Sequence, residues 1–256
     1  MAVIRFPSPI RGIQPMAKGY PNLHLVGSSP IMRIVLLVLS MIVACSQAHA
    51  KEYGNYDPKR MLTVAETPSG KKYGIDGKYL DLMLNDLALH AKNYPARFDT
   101  PQDQQRAIQD VKTLSGMLDI LVNGPSPNAE LLVRAGFLNS IGHNLDIPGS
   151  AEKTAAIFQR LLATAPADPR GNYMYGSFLA GAGKSKEALP YLEKALAVGV
   201  VDAAYALGMA HLTLGDKQKA IENLEAYKQR RPGDGNVAKL IDGIRNGQVE
   251  IKKAPN

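Results

Sequence analysis

The stretches "GSFLAGAGKSKEALPYLEKAL", from Gly176, and "GMAHLTLGDKQKAIENLEAYK", from Gly208, are one unit written twice at an offset of 32 residues. Gly176, Gly183, Ala188, Leu192 and Glu193 return as Gly208, Gly215, Ala220, Leu224 and Glu225. A fixed period of this length constrains the fold more than any local propensity. One such unit cannot bury its apolar face alone and must stack on its neighbour. Each unit reads as a helix, a tight turn and a second helix. Gly183-Lys184 and Gly215-Asp216 are the turns, because glycine ends a helix at low conformational cost. Gly176, Gly208, Ala188 and Ala220 let the paired helices approach closely. Leu189, Leu192 and Leu196 recur at the spacing of a buried stripe on the second helix.

An earlier copy precedes these two. Thr154, Phe158, Leu162 and Pro166 stand 34 residues before Ala188, Leu192, Leu196 and Val200. Pro166 and Pro232 each follow the large apolar residue of their helix by 8 positions. A proline there stops a helix, since its ring clashes with the preceding turn. These residues resemble the tetratricopeptide repeat. That family places a leucine-glycine pair in the first helix, an alanine and a bulky residue four later in the second, and a closing proline. Leu207-Gly208, Ala220, Leu224 and Pro232 follow the pattern. So do Tyr175-Gly176, Ala188 and Leu192, with Val200 in place of the proline. In the first copy, "NAELLVRAGFLNSIGHNL" is followed by "DIPGS", which reads as a loop insertion. The junction "YLEKALAVGVVDAAYALGMAHL" resembles the Sel1-like variant. The resemblance covers residues 126 to 247 and implies an all-α, right-handed α-α superhelical solenoid.

The remaining segments divide the chain as follows. Residues 1–31 carry several Pro and Gly without periodicity and read as a non-native or disordered extension ahead of a start at Met32. Residues 32–50 read as a secretory signal: Arg33, the apolar run "IVLLVLSMIVA", then Ala48-His49-Ala50 as an A-x-A site. That run is shorter than the ~20 residues of a spanning helix. The single cysteine, Cys45, lies in "IVAC", which resembles a lipobox whose cysteine is lipidated, with Ser46 suiting an outer-membrane destination. Cleavage after Ala50 and lipidation at Cys45 both stand as readings. Either leaves a domain without cysteine and large enough to rest on its hydrophobic core.

Residues 51–76 form an extended segment. "RMLTVAE" and "KKYGID" around Pro68-Ser69-Gly70 are a small hairpin or an ordered coil; a hairpin would need to pack on the helices. Residues 77–125 are a helical pair. Asp76 caps the first, with Leu80, Met83, Leu84 and Leu87 on one face. Thr100-Pro101 opens the second, with Ala107, Ile108, Val111, Leu114, Leu118 and Leu121 as its stripe. Ser126-Pro127 opens repeats spanning 126–232. Residues 233–247 are a capping helix carrying Val237, Leu240, Ile241 and Ile244, and 248–256 a frayed tail.

Charge and motif content narrow the function. The formal charge is +7, but residues 1–50 hold Arg5, Arg11, Lys18 and Arg33 without an acid, so the remainder carries only +3. Its basic and acidic residues are interspersed, which speaks against nucleic acid. Gly183-Lys184-Ser185 resembles the end of a P-loop, but Phe178 stands where that motif needs glycine and a helix precedes it. His90, His143 and His211 share no metal-like spacing. No catalytic motif emerges, and neither an enzyme nor a cofactor or metal is expected. Solenoids work by offering a long surface to a partner. In this family the concave surface, lined by first helices, holds peptides or partner helices. The repeat pattern carried over puts Tyr173 and Ser177 there in one unit, Tyr205, Met209 and Leu212 in the next, and Phe137 with Ile141 in the first. The basic and asparagine residues that clamp a C-terminal carboxylate in chaperone-binding repeats are not evident at these positions. The sequence therefore reads as an exported scaffold or adaptor for a protein segment in a bacterial envelope, periplasmic or secreted, with an outer-membrane lipoprotein anchored at Cys45 as the alternative location. A non-catalytic accessory subunit of a polysaccharide or peptidoglycan enzyme system is the alternative function.

Overall fold

A computed structural model describes residues 3–5, 52–124 and 127–252 of the chain. Residues 1–31, apart from 3–5, and the 32–50 leader with Cys45 lie outside the described residues. Strand β1 (Val3–Arg5) pairs antiparallel with β4 (Glu250–Lys252). So two short runs, one in the expected extension and one in the expected frayed tail, share a backbone ladder. Between them come the hairpin strands β2 (Leu62–Thr67) and β3 (Gly70–Ile75), then helices α1 (Gly77–Ala91), α2 (Pro101–Val122), α3 (Ala129–Asn144), α4 (Ser150–Thr164), α5 (Pro169–Gly181), α6 (Ser185–Ala197), α7 (Asp202–Thr213), α8 (Lys217–Arg230) and α9 (Gly235–Arg245). Packing follows chain order, pairing α3 with α4, α5 with α6 and α7 with α8, while first helices α1, α3, α5 and α7 lie side by side. The chain is an all-α helical-repeat solenoid with a small β-hairpin on its N-terminal side.

The helix ends follow from sequence. Asp76 Oδ1 accepts from the N–H groups of Lys78 and Tyr79, and Thr100 Oγ1 accepts from Asp103 N–H, each satisfying a donor the helix itself leaves open. The start of α3 differs from expectation. Asn128, two residues beyond Ser126, is the cap, its side chain accepting from Glu130 N–H. The tight turns are glycines at positive φ, +83° at Gly183 and +87° at Gly215. Pro166 and Pro232 fall just after α4 and α8.

Close approach of paired helices rests on three matched contacts. A Cβ added at Gly176 would stand 2.7 Å from Leu192 Cγ, and one at Gly208 would stand 2.7 Å from Leu224 Cγ. One at Gly136 would meet the Phe158 ring at the same 2.7 Å. Phe158, Leu192 and Leu224 are fully buried, so each contributes ~1.5–3 kcal/mol by leaving water. The stripe of α6 is centred on Ala188, Leu192 and Ala195, with Leu189 and Leu196 half-buried at its edges. Val237, Leu240, Ile241 and Ile244 of α9 close the last face together with Leu212, Ala220 and Leu224.

The first helical pair departs from the repeat. Helices α1 and α2 make little direct backbone approach, and residues 53–57 bridge them. Tyr53 is 1% exposed and donates its hydroxyl to Asp110 of α2 at 2.8 Å. Gly54 N–H and the Tyr56 hydroxyl both donate to Asp86 Oδ2 of α1 at 2.8 Å. Arg106 of α2 donates to the Tyr53 carbonyl at 2.9 Å. Burial pushes the Asp110 carboxyl up, partly offset by the Tyr53 hydrogen bond and the Arg106 charge. The hairpin that follows is tied at its base, where Asp76 N–H donates to the carbonyl of buried Met61 at 2.7 Å. Its first strand is otherwise solvent-facing, and Ile75, at the end of the second, packs on the helical core.

Candidate groove on the first helices

The first helices present a groove along α1, α3 and α5. Its larger depression, about 610 Å³, lies at their C-terminal ends and is lined by Phe137, Ser140, His143 and Asn144 of α3, by Tyr173, Met174, Ser177, Phe178 and Gly181 of α5, and by Lys92, Asn93 and Tyr94 after α1. The spacing 137, 140, 144 places one face of α3 on the wall, and 173, 177, 181 does the same for α5. Asn144 fixes the junction by donating Nδ2–H to the Ala91 carbonyl at 2.9 Å. The His143 ring stands edge-on to Phe178 with centroids 5.6 Å apart. Burial raises the Tyr173 phenol pKa, and the Asp202 carboxylate adds to it. A volume in this range, walled by aromatics with a few polar groups, is that of a small-ligand or side-chain pocket.

A smaller depression of about 280 Å³ continues past Phe137 and Met174, which line both. Its floor is an ion network tying the three helices together. Arg134 of α3 donates Nε–H and Nη2–H to the two oxygens of Asp81 on α1 at 2.7 and 2.8 Å. Arg170 of α5 donates to both oxygens of Glu130, which also receives Arg134 Nη1–H at 3.3 Å. The hydrogen bond from Arg134 holds Asp81 below the usual carboxylate range, and that from Arg170 does the same for Glu130. All four charges in this half are thus committed to one another.

The residues expected from the repeat pattern divide into two groups. Phe137, Tyr173 and Ser177 line the larger depression together. Tyr205, Met209 and Leu212 do not reach it. Tyr205 is 38% exposed and stands against the Tyr227 ring at 5.4 Å. Met209 packs on the C-terminal core. Leu212 is 5% exposed inside that core and is a packing residue, because α9 closes over the face that a further repeat would have left open. Ile141 is likewise fully buried. Of the residues lining the larger depression, the reading from sequence did not name Lys92, Asn93, Tyr94, Ser140, His143, Asn144, Met174, Phe178 and Gly181. Continuing the helical spacing from Phe137 would have found Asn144; nothing in the repeat announces the loop after α1. His90 and His211 are buried, His90 stacking on Phe98 at 4.8 Å. Among the described residues no group of three or more His, Cys, Asp or Glu could hold a metal ion, and no helix is long and apolar enough to cross a membrane.

Residues 201–234 match the tetratricopeptide repeat family model, a span running from α7 through Pro232. Among solved structures the chain is similar to the crystal structure of MamA, at 21% identity over 59% of this chain and 86% of that one, with a TM-score of 0.49. It is also similar to YrrB, described as a TPR protein with an unusual peptide-binding site, at 19% identity over 64% of this chain and 84% of that one, with a TM-score of 0.45. No curated protein matches the chain. With a tetratricopeptide repeat at 201–234 and its neighbours stacked in the same manner, the chain is a helical-repeat scaffold, a class that acts through protein–protein contacts.

Proposed function

We propose that this protein is an exported adaptor that holds an extended segment of a partner protein in the α1–α3–α5 groove, within a bacterial envelope. One observation carries the reading: Phe137 and Tyr173, on the first helices of successive units, wall a single depression of about 610 Å³ that connects with a second one. Aromatic side chains are favoured contact makers at interfaces because they bury much area at little entropic cost. Export rests on sequence alone. The basic residue, short apolar run and A-x-A ending of residues 32–50 support a cleaved leader, and "IVAC" supports a lipid anchor at Cys45 as the other outcome.

The test is co-purification from envelope extract with the parent chain and with Phe137→Ala and Tyr173→Ala variants, each first melted to establish its fold. A partner retained by the parent and lost by folded variants is the expected result. Retention by both variants once folded would place the binding surface elsewhere. Recovery of a polymer-processing enzyme would favour an accessory subunit of a polysaccharide or peptidoglycan system over an assembly adaptor.

A further inference from the structure

We infer that the groove is built for an acidic segment, one that sets a large apolar side chain between Phe137, Tyr173 and Phe178 and places a neighbouring Asp or Glu side chain beside Lys92. This rests on the groove reading above and adds to it the chemistry of the partner.

The argument is an account of charge along the groove. At the α1–α3–α5 N-terminal half, Asp81 and Glu130 are each held by an arginine, so that half offers no free anion to a basic ligand. At the C-terminal half the lining contains Lys92 and neither Asp nor Glu. Among the described residues the Lys92 ammonium has no acidic partner, and the His143 ring makes no hydrogen bond. The formal charge left uncommitted on the groove is therefore positive and sits at one end. A carboxylate arriving there gains a solvent-screened attraction without breaking an existing pair, whereas a cation meets repulsion. Ser177 Oγ is buried in the same wall beside the Tyr173 phenol, without a hydrogen-bond partner of normal geometry.

The occupant is an internal acidic side chain: Lys92 is exposed at the end of the groove, so a segment can pass it into solvent and need not end there. Because Lys92 is exposed, its contribution is that of a rim charge. It sets specificity and salt dependence more than total affinity.

The experiment uses four fluorescein-labelled decapeptides with one central Phe: Glu-flanked, Gln-flanked and Lys-flanked, each with an amidated C-terminus, and a Gln-flanked form ending in a free carboxylate directly after Phe. Binding to the full chain is read by fluorescence anisotropy at low and high salt. The Glu-flanked peptide should bind tightest and lose its advantage at high salt. Lys92→Met should weaken it by up to about fivefold, the range of an exposed charge pair, and Lys92→Glu should reverse the order of the Glu and Lys peptides. An unchanged order in Lys92→Glu, or no binding by any peptide, would overturn the inference. Equal binding by the free-carboxylate peptide would overturn the choice of an internal acid. Tyr173→Ala separates the two readings: if it abolishes binding of every peptide while Lys92→Glu changes none of their ranking, the groove stands and the acidic partner does not.

Discussion

The repeat register can be tested where each helix pair closes on itself. In three units a glycine of the first helix receives a buried side chain of the second: Gly136 with Phe158, Gly176 with Leu192, Gly208 with Leu224. Converting glycine to alanine gains ~1 kcal/mol of helix propensity. It also forces a methyl to within 2.7 Å of the facing side chain, an overpacking that costs ~1–3 kcal/mol. Single Gly→Ala variants should therefore lose roughly 0–2 kcal/mol. Phe158→Ala should cost ~3–5 kcal/mol, and Leu192→Ala or Leu224→Ala ~2–5 kcal/mol.

The double variants decide the matter. At Gly136 the three nearest atoms, at 2.7, 2.8 and 2.9 Å, all belong to the Phe158 ring, so Phe158→Ala removes the clash entirely. The pair Gly136→Ala and Phe158→Ala should be better than additive by about 1–3 kcal/mol. At Gly176 the Leu192 amide nitrogen remains at 3.2 Å, and at Gly208 the Ala220 carbonyl oxygen remains at 3.1 Å. Coupling there should be favourable but smaller. Urea denaturation followed by far-UV circular dichroism gives the midpoints, compared only among variants with a common slope. Additivity within ~0.5 kcal/mol in all three cycles would mean that these residues do not face one another, and the register would be refuted.

Three further outcomes are expected. Tyr53→Phe should lose ~1–3 kcal/mol, because it leaves the buried Asp110 carboxyl without its donor, and hydrogen exchange should show α1 and α2 loosened before α7 and α8. In acid titration, Asp81 and Glu130 are depressed in the folded state, so their stabilisation is complete above the ordinary carboxylate values near ~4 and is lost as pH falls through the lower folded values; Arg134→Met should flatten that acid limb, while the raised Asp110 acts with the opposite sign. Mass spectrometry of the N-terminal peptide should find either Lys51 or a lipidated Cys45 as the first residue, and an intact chain from Met1 or Met32 would refute both.

Much of the solenoid was legible because it is local and repeated. The stripes of α1, α2 and α9 follow helical spacing, and Asp76 and Thr100 announce their helices by side-chain chemistry alone. The Gly–Leu contacts could be anticipated because the same pair is written twice, 16 residues apart in each unit. The first copy was harder. Its glycine and Phe158 are 22 residues apart, since the loop from Leu145 to Gly149 intervenes, so Gly136 escaped notice although it does the same work as Gly176. The bridge at Tyr53 was illegible for another reason. Its partners Asp86, Arg106 and Asp110 lie 30 to 57 residues away, and no period links them.

Of the six side chains that the repeat pattern assigns to a binding face, Phe137, Tyr173 and Ser177 line the depression and Tyr205, Met209 and Leu212 do not. Tyr205, Met209 and Leu212 occupy the positions in their unit that the pattern assigns to a binding face, yet Leu212 and Met209 pack on the core under the capping helix, and Tyr205, still exposed, stands edge-on to Tyr227. Phe137, Tyr173 and Ser177 line the depression where α3 and α5 meet the segment that follows α1. At that end α1 stops at Ala91, and Lys92, Asn93 and Tyr94, before α2 begins, line the depression. A strictly periodic array presents the same surface in every unit and has no reason to hold a ligand at one place. Here the segment after α1 supplies one wall of the depression, and Lys92 is the one Lys, Arg, Asp or Glu among the residues that line it.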